Sequence, residues 1–92
     1  MTDAQMSRLA LQFPTLRQAP GVQPWQPQQL ERWACGPAPS SAAAHAARFM
    51  LAVWDNRRQW RCGAFDLIDA IRIWDETHAA AMQAWVSKPW LP

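Results

Sequence analysis

Three observations predict an all-α domain: apolar residues recur at helical spacing, a capping signal heads each periodic run, and no stretch alternates in the manner of a strand. The predicted architecture is a long antiparallel helical hairpin, residues 40–88, covered by two short N-terminal helices and a proline-rich connector in residues 1–39. All 92 residues are read as one domain.

The first helix is expected over residues 3–12. Thr2 and Gln5 have the spacing of a capping box, in which the hydroxyl accepts from one free amide while the glutamine reaches back to another. Met6, Leu9, Leu11 and Phe13 are too few to hold so short a helix in water, so it must dock. Pro14 ends it, and residues 14–27, with Pro14, Pro20, Pro24, Pro27 and Gly21, favour an extended connector pinned by Leu16, Val22 and Trp25.

Pro27 suits the first turn of a second helix that buries Leu30, Trp33 and Ala34, with Gly36 as a left-handed terminator. Pro37 and Pro39 break the chain again. Ser40 or Ser41 caps a third helix reaching about residue 60, its core side formed by Ala42, Ala46, Phe49, Met50, Val53 and Trp54. His45, Arg48, Asp55, Asn56 and Gln59 form the polar stripe of that helix.

Cys62 and Gly63 are read as the close of the third helix and Asp66 as the cap of the fourth, so that a short turn makes the two antiparallel. The fourth helix is expected to run unbroken over residues 65–87, burying Leu67, Ile68, Ile71, Trp74, Met82, Trp85 and Val86. Asp75 and His78 fall in the middle of that apolar face. A polar pair there must be hydrogen-bonded in a core, placed at a partner surface, or used for chemistry.

Composition narrows the function classes. Half the residues are hydrophobic and seven are Trp, enough large side chains for a small core that needs neither metal nor disulfide. Net charge is +2, too balanced for a strongly electrostatic nucleic-acid or membrane-surface protein. No apolar run reaches the ~18 residues of a membrane span, and residues 1–13 lack the pattern of a signal peptide. A cytoplasmic location follows as the expectation, with Cys35 and Cys62 as free thiols there and a bridge between the two as the alternative.

Asp75 could orient the His78 imidazole as a general base, but the sequence offers no nucleophile or glycine-rich oxyanion loop beside it. The same pair resembles half of a carboxylate-x-x-His metal element whose other half is missing. Cys35, His45, Cys62 and His78 lack the close paired spacing of a zinc site. No catalytic residue, metal or cofactor is therefore assigned.

The reading that remains is a small accessory protein that binds another protein, or a second copy of itself, through a Trp-rich helical surface. Trp and Arg are enriched at interface hot spots, which makes Arg57, Arg58, Arg61, Trp60 and Trp90 the candidate partner-binding residues. A nucleic-acid-associated regulator using the Arg57–Arg61 cluster is the alternative, although so few basic groups supply few phosphate contacts. A metal-binding helical protein built on Asp75 and His78 stands behind both.

Overall fold

A computed structural model describes residues 2–36 and 40–89. In chain order the elements are α1 (Asp3–Ala10), a 3-10 turn (Pro14–Leu16), α2 (Pro27–Cys35), α3 (Ser41–Trp54), α4 (Leu67–Ile73) and α5 (Glu76–Ser87). The described residues contain no strand.

Local chemistry explains most of the boundaries. The Thr2 hydroxyl accepts from Gln5 N–H at 3.2 Å while the Gln5 side chain accepts from Thr2 N–H at 2.8 Å, which completes the capping box. Ser40 caps α3 by accepting from Ala43 N–H, and Asp66 caps α4 by accepting from Asp69 N–H. Pro27 occupies the first turn of α2. Gly21 is the one glycine that close packing requires: its φ is +82°, and a Cβ there would lie 2.5 Å from Gln26 O and 2.7 Å from Leu30 N.

Helix α3 is the axis of the molecule, touched by α1, the 3-10 turn, α2 and α4. It buries Ala43, Ala46, Ala47, Phe49, Met50, Leu51 and Val53. The connector folds into this core: Phe13, Leu16, Val22 and Trp25 are buried, and Ser7 of α1 donates to Val22 O. Phe13 lies at the centre, its ring 5.6 Å from Phe49 and 5.5 Å from Trp74.

Three expectations about the second half are corrected. Helix α3 ends at Trp54, six residues early, because Asp55 turns extended at φ −156°, ψ 95°. Its carboxylate accepts from Arg57 N–H and its carbonyl from Trp60 Nε1, so the aspartate organises a loop of its own. The expected tight hairpin turn is thus a longer connection, residues 55–66, within which Gly63 takes a φ of +92°.

The unbroken helix over 65–87 is instead two helices. Trp74 and Asp75 are extended between α4 and α5, and the Asp75 carboxylate accepts from His78 N–H at 2.9 Å as the α5 N-cap. An aspartate side chain that bonds a backbone amide three residues on offers the chain an alternative to continued helix, and here that alternative prevails. Gly36, expected to be left-handed, closes α2 with φ −155°.

The third correction concerns exposure. Leu67, Ile68, Ile71, Ile73 and Val86 are exposed, while Trp74 and Met82 from the same predicted face are buried and Trp85 is half-buried. His45, placed by its spacing on the polar stripe of α3, is buried, with Nδ1 3.5 Å from Arg48 Nη1.

Candidate functional site

The polar pair acquires a third member. His78 is buried, its Nδ1 2.8 Å from Asp75 Oδ1 and its Nε2 2.8 Å from the Thr15 hydroxyl. Thr15 belongs to the 3-10 turn, 63 residues away in sequence, so spacing along one helix could not have found it. The imidazole stacks on Trp74 at 6.0 Å and lies 5.9 Å from Phe13. One Asp75 oxygen thus serves both the backbone amide and the ring of His78.

Hydrogen bonding sets the electrostatics of this chain of groups. The Asp75 carboxyl is held below its ordinary value, first by the His78 backbone N–H and then by the His78 side chain, both of which favour the charged form. A carboxylate, an imidazole and a hydroxyl in line have the composition of a nucleophilic relay. The Asp75 side chain is the solvent-exposed end, while the ring is packed among aromatics. As a tie, the arrangement joins the N-terminal connector to the α4–α5 break.

The arginine cluster is distributed differently from its sequence spacing. Arg58 places its guanidinium 4.4 Å over the Trp60 ring and 3.9 Å from the buried Glu31. The same Glu31 accepts from Arg61 N–H at 2.7 Å. Trp60 is buried, its Nε1 bonded to Asp55 O, so it is an anchor of the loop rather than a contact surface. Arg57 and Arg61 are exposed on this loop. Trp90 lies outside the described residues.

Other tryptophans also belong to the interior. Trp25, Trp60 and Trp74 are buried, and Trp33, Trp54 and Trp85 pack against the core. Of the described tryptophans, Trp33, Trp54 and Trp85 are the ones that keep part of their surface exposed. Aromatic content is a measure of core volume here.

What is presented is aliphatic. Of the seven residues of α4 only Ala70 is buried, while Leu67, Ile68, Ile71 and Ile73 are 44, 58, 52 and 46% exposed. Large apolar side chains scattered singly are ordinary on a surface, but four on two turns of one helix are a concentration. Asp69 and Arg72, three residues apart, share a flank of the face formed by Leu67, Ile68 and Ile71. The sequence contained the signal for this patch, since Leu67, Ile68 and Ile71 are apolar at helical spacing, but that spacing assigned these three to the core.

An open cavity of about 840 Å³ is lined by Phe49, Val53, Trp54, Phe65 and Trp85 together with Asp55 and Arg57. The described residues hold no group of three or more His, Cys, Asp or Glu side chains placed to share a metal ion. They also contain no helix long and apolar enough to cross a membrane. Comparison with protein-family models, curated proteins and solved structures finds no match to this chain.

Proposed function

We propose that this protein is a non-catalytic interaction module whose docking surface is the outer face of α4, and that a second copy of the chain is the occupant. The observation that carries the reading is the exposure of Leu67, Ile68, Ile71 and Ile73 on a seven-residue helix. Burying such side chains between subunits stabilises association by ~25 cal/mol for each Å² of apolar surface removed from water.

Charge favours a second copy. Antiparallel packing of two α4 helices about a two-fold axis between Ala70 and Ile71 would set Asp69 of each copy level with Arg72 of the other. Such a face is self-complementary, whereas a face carrying one sign of charge would repel its own copy. The non-catalytic part of the reading rests on the burial of His78, both of whose ring nitrogens are engaged within the protein.

Light scattering on the full chain at high micromolar concentration tests the proposal. A dimer that becomes a monomer in the Ile68→Asp, Ile71→Asp double variant, with helicity preserved, is the expected result. A monomeric wild type removes the second copy as occupant. Salt-dependent retention on immobilised DNA, lost on replacing Arg57 and Arg61, would instead favour a nucleic-acid role.

A further inference from the structure

The two cysteines flank one seam, the contact between the end of α2 and the turn at residues 60–63. Cys35 ends α2 one turn beyond Glu31, on the same side of the helix, and Glu31 is the residue whose carboxylate holds Arg61 N–H at 2.7 Å. Cys62 follows Arg61 directly, inside a turn closed by Gly63 N–H to Trp60 O at 3.0 Å. Arg48 Nε of α3 donates to Cys62 O at 2.8 Å, which fixes this turn from a second side. Cys35 is exposed, Cys62 is half-buried, and both are free thiols.

Burial pushes the Cys62 thiol above its ordinary value, the neighbouring Cys35 adds to the rise, and Arg48 opposes it. The repeated Trp-x-Cys-Gly sequence, at Trp33–Gly36 and again at Trp60–Gly63, thus has one cysteine from each copy on either side of the Glu31–Arg61 contact.

We propose that Cys35 and Cys62 form a redox-active dithiol that closes to an intramolecular disulfide on meeting a disulfide oxidant, stapling the end of α2 to the loop that leads into α4. The exposed Cys35 thiolate attacks one sulfur of glutathione disulfide; a Cys35–glutathione bond forms and the first glutathione thiolate leaves. Cys62 then loses its proton to solvent and attacks the Cys35 sulfur, forming the internal disulfide and expelling the second glutathione. Two electrons pass from the protein to the oxidant, and two thiols with one glutathione disulfide become one protein disulfide and two glutathiones. Because the Cys62 thiol is held protonated, the second step accelerates as pH rises.

The test incubates the full chain with excess glutathione disulfide, quenches by alkylation and measures intact mass and peptide linkage over time. The folded wild type is expected to end as a single chain lighter by two hydrogens, with no interchain disulfide and neither cysteine alkylated, and to close several-fold faster than in guanidinium chloride. Cys62→Ser is expected to stop at the Cys35–glutathione adduct. Accumulation of the doubly glutathionylated chain, an unreacted dithiol, or closure no faster in the folded than in the unfolded protein would overturn the proposal.

Discussion

Helices α3 and α4 have comparably apolar sequences and opposite fates. Helix α3 buries eight of its fourteen residues, whereas α4 buries one of seven. The difference is one of neighbours. Helix α3 is enclosed by α1, α2, the connector and α4, so nearly every direction around it offers a surface to pack on. Helix α4 touches the body through Ala70 and through the residues at its ends, and its aliphatic side chains face away. Apolarity is a demand for cover, and topology decides whether the same chain supplies it.

The largest effect that would break this comparison lies at the end of α4. Trp74 is buried, donates through Nε1 to Ala42 O at 3.1 Å and packs against Phe13, Phe49 and Phe65. Trp74→Ala should cost about 3–5 kcal/mol in urea denaturation, a large share of the stability of so small a domain. Trp85→Ala, at a half-buried position, should cost clearly less, and equal losses would mean that α5 is held as tightly as the α4 junction.

Next is the break that creates α4. Asp75→Ala removes the α5 cap and leaves His78 without its carboxylate, for an expected loss of stability smaller than that of Trp74→Ala. Asp75→Asn keeps an oxygen acceptor for the amide and should recover part of that loss. If Asp75→Ala were as stable as wild type, continued helix through residues 74–75 would be an equally good solution for the chain.

The Ile68→Asp and Ile71→Asp substitutions sharpen the comparison from the other side. At exposed positions each should change monomer stability by no more than about 0.5 kcal/mol. Phe49→Ala or Met50→Ala on α3 should cost several times as much. A strong loss of monomer stability at Ile68 would place that side chain in the core after all.

The smallest effect is acid sensitivity. The Asp75 carboxyl is depressed in the folded state, so its contribution is present above the ordinary carboxylate range near ~3.9 and is lost as pH falls through the lower folded value. Asp75→Asn should flatten the acid limb of the stability curve relative to wild type. Parallel limbs in the two proteins would show that the cap does not titrate with folding.

Local signals were legible in the sequence because their causes span three or four residues. The Thr2–Gln5 box, the Ser40 and Asp66 caps, Pro27 in its first turn and the all-helical class each follow from chemistry that the chain carries within one turn of helix. Asp75 carried a signal of the same kind. An Asp ahead of Glu76 and Thr77 reads equally well as a cap or as an intruder on an amphipathic face, and the strong apolar periodicity on either side favoured the second reading.

Tertiary structure decided what periodicity cannot express. Residue spacing states that Ile68, Ile71, Trp74 and Met82 share a chemical preference, but not that Trp74 and Met82 find neighbours while Ile68 and Ile71 find none. It cannot place Thr15 against His78, Glu31 against Arg61, or Cys35 beside the turn of Cys62, because each pairing joins segments distant in the chain. Preferences are local properties of the sequence, whereas partners are set by how the loops at 14–26 and 55–66 return the chain to α3, and burial exists only once the partners are in place.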